Sequence, residues 1–319
     1  MREHAVRRLI WLALLSGAAV ALGLAAGSVR IPWSELWSGG GEGTAGAILF
    51  GLRLPRVLTG FAVGGLLGLA GALMQVLLRN PLADPYILGI SGGAAVGALS
   101  VIALGLSASL VPGGAFAGAL GSILLVFALA GSDRSQTQTR LLLTGVVIAA
   151  GWGALVSLLL ALAPDAQLRG MLFWLLGDLS AATPPAAGLA VLLLALAATW
   201  PLARSLNVLA QGELQARALG VPVGALRRLL YFAASACAAA AVASAGTIGF
   251  VGLLAPHLAR LTLGGDQRVL LPGATLAGGA LLTLADVVSR TAVAPTQLPV
   301  GAVTALLGVP LFLWLLTRR

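Results

Sequence analysis

Ten apolar runs, divided by short polar or glycine-rich breaks, set the pattern of this chain: 9–29, 57–78, 90–105, 115–130, 141–163, 186–203, 229–245, 253–263, 269–289 and 300–317. A helix rising 1.5 Å per residue needs about 20 apolar residues to cross the hydrocarbon core of a bilayer. The pattern therefore predicts an all-α polytopic bundle of about ten transmembrane helices, with 1–319 forming one membrane domain. The stretch 229–263 fits least well, being too long for one span and short for two, and Gly246, Gly249, Gly252 and Pro256 interrupt it. A long helix, a broken turn and a short return helix are expected there, since irregular backbone is tolerated at membrane depth when protein buries it. Arg2, Arg7 and Arg8 before the first run and Ala25-Ala26-Gly27 near its end resemble a cleavable leader. More membrane follows, so an uncleaved first span is expected.

Composition sharpens the class. Hydrophobic residues make up 59% of the chain and charged residues 9%, against roughly 25% charged in soluble domains. So few charges cannot cover a water-facing surface, which excludes a soluble enzyme. All 19 basic residues are Arg, so the chain cannot supply the Lys of a phosphate-binding loop or of a Schiff base. The net charge of +9 has no basic stripe interleaved with aromatics and so does not indicate nucleic acid. The single cysteine, Cys237, has no partner in the chain and reads as a packing residue.

Charge placement orients the spans. With the N-terminus in the cytoplasm, the inner segments hold Arg2, Arg7, Arg8, Arg79, Arg134, Arg140, Arg204, Arg217, Arg227, Arg228, Arg260, Arg268, Arg318 and Arg319. The outer segments keep Arg30, Arg53, Arg56, Arg169 and Arg290. That imbalance obeys the positive-inside rule and puts both termini in the cytoplasm. Gly60, Gly64 and Gly68 recur at four-residue intervals, as do Gly89, Gly93 and Gly97, and Gly114 and Gly118. Such spacing lets helix backbones approach closely.

The longest inner polar stretch runs from Arg204 to Arg228. Within it 209–220 reads as a short helix stopped by Gly220, with Pro222 beyond. It is either a basic loop held by lipid headgroups or a docking helix for a soluble partner. Asp286 falls inside an apolar run, with Arg290 one helical turn on. A structural ion pair is expected, and a proton-coupled secondary transporter working through Asp286 is the alternative. Gly89-Ile90-Ser91-Gly92 also matches the G-x-S-G of rhomboid-type intramembrane proteases, which would make Ser91 a nucleophile and His257 its base. No His, Cys or carboxylate spacing indicates a metal site.

Several motifs occur in a specific order: Arg53-Leu54-Pro55-Arg56, Asn80-Pro81-Leu82-Ala83-Asp84-Pro85, Leu88-Gly89-Ile90-Ser91-Gly92-Gly93-Ala94, Gly212-Glu213 through Leu219-Gly220, Gly246 through Leu253 with Pro256-His257, and Leu298-Pro299-Val300-Gly301. Over nearly its whole length the chain resembles the permease subunit of bacterial ABC importers for vitamin B12, haem and ferric siderophores, the BtuC/FecCD-like type II importers. Gln297 departs from the pattern, since relatives usually carry Glu before the Leu-Pro-Val-Gly run. The resemblance implies a homodimer of ten-span subunits in the bacterial inner membrane, with two cytoplasmic ABC ATPase subunits and a periplasmic substrate-binding protein. It implies alternating access at the dimer interface, no catalytic residue and no cofactor in this chain, with ATP and Mg held by the ATPases. It places ATPase coupling on Gly212, Glu213, Ala216, Arg217, Leu219 and Gly220, with coupling helices within 207–228. It places a cytoplasmic gate at Asn80, Leu82 and Thr139, and binding-protein docking at Arg53, Arg56 and Arg290. Which chelate is carried stays open among haem, ferric siderophore and cobalamin.

Overall fold

The computed structural model describes residues 2–27, 29, 43–130, 138–180 and 184–317. Arg30, Arg134, Arg318 and Arg319 of the charge count lie outside the described residues. Each of the ten expected spans coincides with a helix. In chain order these are α1 (Arg2–Ala25), α2 (Thr44–Leu77), α3 (Ile90–Ala103), α4 (Val111–Ala130), α5 (Gln138–Leu162) and α7 (Pro185–Thr199). They continue with α10 (Val223–Ala245), α11 (Val251–Leu263), α12 (Gln267–Thr291) and α13 (Val300–Thr317). Between them lie three helices too short to cross: α6 (Asp165–Leu175), α8 (Ala203–Gln211) and α9 (Glu213–Ala218).

Helix α2 is the axis of the bundle. It packs against α12, α10, α11 and α7, and nearly all of its residues from Thr59 to Leu77 are buried. Its close approach to α12 depends on missing side chains, because a Cβ on Gly64 would run into the Gly278 carbonyl and one on Gly278 into that of Gly64. Gly93 and Gly97 of α3 meet Gly118 and Gly114 of α4 in the same way. The glycine repeats thus build two helix crossings by backbone contact. Helix α2 also starts earlier than its apolar run, through a π-helical turn, Ala47–Arg53, that ends on Arg53.

Helices α3 and α11 are each only about 20 Å long at 1.5 Å per residue, short of a 30 Å core. Irregular backbone inside the bundle completes both. The 3₁₀ turn Pro85–Leu88 leads into α3, and residues 246–250 form the break expected before α11. The two meet where a Cβ on Gly252 would lie 2.6 Å from Pro85 Cδ. Local hydrogen bonds hold these segments in place. The Asp84 carboxylate accepts from the Tyr86 N–H at 2.8 Å, and the Asp178 N–H donates to the Ala245 carbonyl at 2.8 Å.

Helix α6 was not expected from the hydropathy. Pro164 precedes it, Asp165 sits in its first turn, and the Arg169 guanidinium lies 5.6 Å from the centre of the Phe173 ring. Its mixed polar and apolar sequence falls between two long runs, so a search for spans passes over it. A second difference concerns 209–220. This segment is not one helix, because Gly212 at φ 149° ends α8 and opens α9.

Candidate functional site

At one end of the bundle α8 and α9 form a braced ledge. The Asn207 amide donates to Asp266 at 2.8 Å and its oxygen accepts from the Gln267 N–H at 2.8 Å. These bonds tie α8 to the first turn of α12, where Asp266 also caps the helix by accepting from Arg268. Helix α9 ends in a Schellman motif: the Val221 N–H reaches the Ala216 carbonyl at 2.9 Å and the Gly220 N–H that of Arg217 at 3.0 Å. Gly220 takes φ 76°, as its place after the helix demands.

The faces of α9 separate cleanly. Ala216 is fully buried, so it packs beneath the helix. Leu214 and Leu219 are 86% and 65% exposed, and Arg217 points outward with them. Leu214 escaped the sequence reading, which followed the motif letters and not the face they form. Glu213 pairs with Arg217 at 2.7 Å and with Arg227 of α10 at 3.4 Å. The hydrogen bond from Arg217, with the charges of Arg227, Arg217 and Arg79, holds its carboxyl below the usual carboxylate range.

The turn after α2 reaches the same end. Asn80 is exposed and its side-chain oxygen accepts from the Leu82 N–H at 2.9 Å, the turn-forming role its place before Pro81 suggests. Leu82 is 47% exposed, and Thr139 is exposed in the first turn of α5.

At the opposite end Arg53, Arg56 and Arg290 converge with Gln297 on a cleft of about 260 Å³. They are not free hooks on the surface. Arg53, 5% exposed, donates to the carbonyls of Leu24 and Ala25 at 2.9 Å and to that of Val29. Arg290, also 5% exposed, donates to the carbonyls of Gly23 at 3.0 Å and Ala26 at 3.2 Å. The two guanidinium groups therefore cap the C-terminus of α1, where helix carbonyls lack partners. Asp286 takes Arg290 Nε at 2.9 Å and two guanidinium nitrogens of Arg56 at 2.8 and 2.9 Å. Arg56 also donates to Gln297 Oε1 at 2.7 Å. The expected Asp286–Arg290 pair is present, and Arg56 joins it. Two guanidinium groups share one carboxylate here and a third, that of Arg53, stands at the same cleft on backbone carbonyls alone, which leaves the cleft electropositive.

Other candidate chemistry finds no support. Ser91 lies on α3, which packs against α4, α5 and α10. His257 lies on α11, packed against α2 and α12, with its ring edge-on to Phe312 at 6.1 Å. The fold thus assigns the two to different helix groups. Among the described residues no three His, Cys, Asp or Glu side chains gather as metal ligands. Cys237 is fully buried in the core.

The FecCD transport family model matches residues 13–318. The cobalamin import system permease protein BtuC of Halobacterium salinarum is 44% identical over 86% of this chain and 75% of its own length. The vitamin B12 import system permease protein BtuC of Salmonella typhi is 40% identical over 98% of this chain and 95% of its own. A solved structure described as a metal-chelate type ABC transporter in an inward-facing conformation superposes with a TM-score of 0.86 at 32% identity, covering 99% of this chain and all of that one. PsaBC from Streptococcus pneumoniae, at 19% identity and a TM-score of 0.57, shares the fold over 88% of this chain and 94% of its own. With helix order, glycine crossings and family match in agreement, this chain is a multi-pass membrane permease of the FecCD transport family.

Proposed function

We propose that the chain is the membrane subunit of an ATP-driven importer for a bulky metal chelate of the cobalamin type. It works as a homodimer with two cytoplasmic ABC ATPases and an external substrate-binding protein. The observation that carries this reading is α9, a short capped helix whose Leu214 and Leu219 stand bare on a ledge that the rest of the bundle braces. Apolar side chains so placed fit a groove on a soluble partner. The relatives named for cobalamin and vitamin B12 import support the cargo. In this reading the α9 end and both termini face the cytoplasm, and ATP and Mg belong to the partners. Asn80, Leu82 and Thr139 narrow the pathway on that side, and alternating access runs between the two copies.

The opposite cleft suits an acidic side chain of the binding protein. Arg56 and its electropositive surroundings would receive the carboxylate, while Arg53 and Arg290 hold the cleft in shape. Reconstitution of the chain with its ATPase and binding-protein subunits tests the proposal. Proteoliposomes should take up cobalamin only with ATP and both partners present. Uptake of haem or a ferric siderophore in place of cobalamin would move the cargo assignment, and ATP-independent uptake would refute the importer reading.

A further inference from the structure

We infer that Arg79 is the positioning residue that links the coupling helix to the gate turn, holding Asn80 and Leu82 in register with α9. The inference rests on the reading of α9 as the ATPase-coupling element. It starts from a backbone anomaly. Arg79 has φ 46°, in the left-handed region, where a Cβ is penalised and glycine is the ordinary occupant. The surrounding hydrogen bonds show why such a residue is needed there. The Asn80 N–H reaches the Gln75 carbonyl at 3.2 Å and the Arg79 N–H that of Val76 at 3.3 Å. This is the same Schellman geometry that ends α9, where the equivalent position is Gly220. One of these two helix ends uses the low-cost residue and the other does not. A non-glycine residue held in this region points to a function for its side chain.

The side chain has a target. Helix α2 packs against α10, whose second turn carries Arg227, and against α8, the helix that leads into α9. The positive charge of Arg79 acts on the Glu213 carboxylate together with Arg227 and Arg217. Glu213 opens α9, and Arg79 immediately precedes the gate turn. That turn is continuous in hydrogen bonds: Asn80 Oδ1 takes the Leu82 N–H at 2.9 Å, and the Asn80 carbonyl takes the Ala83 N–H at 3.1 Å. Asp84 then caps the 3₁₀ turn whose Pro85 packs on Gly252 at the start of α11. A shift of α9 driven by the ATPase would therefore pass through Glu213 and Arg79 into the gate turn and its contact with α11. Arg217 and Arg227 lie on α9 itself and on the helix that follows it, so neither makes this connection.

Two sets of variants test the inference in the assembled complex, read as cobalamin moved per ATP hydrolysed. Arg79→Gly removes the charge and the backbone penalty together. The isolated chain should unfold at the parent temperature or higher, while cobalamin moved per ATP falls by about fivefold, equivalent to about 1 kcal/mol of coupling. Arg79→Lys should keep most of the ratio, and Arg79→Gln should lose it. When Glu213→Gln is already present, Arg79→Gln should cause no further loss, as expected for two residues acting through one contact. A parent-like ratio in Arg79→Gly would overturn the inference, as would fully additive losses in the double variant. The importer reading is judged separately, on ATP-dependent uptake by the parent complex with Arg79 intact.

Discussion

Arg56 and Asp286, 230 residues apart in sequence, meet through two guanidinium nitrogens at 2.8 and 2.9 Å from one carboxylate oxygen. Arg290 occupies the other oxygen. Asp286 thus joins α2 to α12 at the end where both also hold the tail of α1. A carboxylate so enclosed works as a strut and is poorly placed to pass protons.

Asp286→Ala should therefore destabilise the chain by about 3–5 kcal/mol, because it leaves the buried Arg290 and the partly buried Arg56 without their counter-charge. Asp286→Asn should cost less, since the amide oxygen can still accept from one arginine. Thermal unfolding in detergent reads both. Parent-like unfolding combined with loss of transport would assign Asp286 to the transport step instead.

The α2–α12 crossing gives a second prediction. Gly64→Val should cost about 1–3 kcal/mol or more by forcing the helices apart at the Gly278 carbonyl. Gly17→Ala in α1 should be neutral or stabilising by up to about 1 kcal/mol, because nothing lies within 4 Å of the added carbon. If the two variants unfold together, the crossing is looser than its geometry implies.

These cases show what the sequence could reveal. Hydropathy and glycine spacing are local signals, so the ten spans and the Gly64 and Gly93–Gly97 crossings were legible in it. The Gly220 stop was legible too, because a helix end with glycine followed by proline has a local cause. The Arg56–Asp286 link was not, since it depends on how α2 and α12 align. The inward turn of Arg53 and Arg290 was hidden for a related reason: their acceptors are backbone carbonyls at the end of α1, and backbone acceptors leave no mark in a sequence. Helix α6 was missed because its apolar run, 171–176, is too short to cross a bilayer, and Leu214 because its importance comes from facing outward.

Glu213 supplies a pH prediction. Its folded-state pKa is depressed, chiefly by the Arg217 hydrogen bond, from its ordinary value of 4.5. The stabilisation of the α9 ledge is then complete above that value and is lost as pH falls through the lower folded value. Association with the ATPase should stay flat from about pH 8 to pH 5 and weaken only below about pH 4.5. Glu213→Gln should remove that acid step. A midpoint near neutrality, measured by surface-immobilised binding, would exclude Glu213 as its source.

The exposed leucines of α9 carry the last prediction. Leu214, at 86% exposure, has almost no contact to lose within the chain, so Leu214→Asp should leave the unfolding temperature unchanged. Burying a leucine in a partner groove gains about 1.5–3 kcal/mol, so the same change should weaken ATPase association by about tenfold or more. Leu219→Asp should act in the same direction with a smaller effect, since Leu219 is the less exposed of the two. Gly220→Val tests the same surface from the backbone side. No atom lies within 4 Å of the added carbon, so any effect comes from holding a β-branched residue at φ 76°, about 1–2 kcal/mol of strain. That strain should loosen the Schellman end and tilt Leu219 without touching the core. Ala216→Leu is the counter-case: Ala216 is fully buried, so the larger side chain should lower the unfolding temperature before it alters binding. Tight ATPase binding by Leu214→Asp and Gly220→Val, with transport intact, would mean that the partner docks elsewhere and that the bare leucines of α9 have another use.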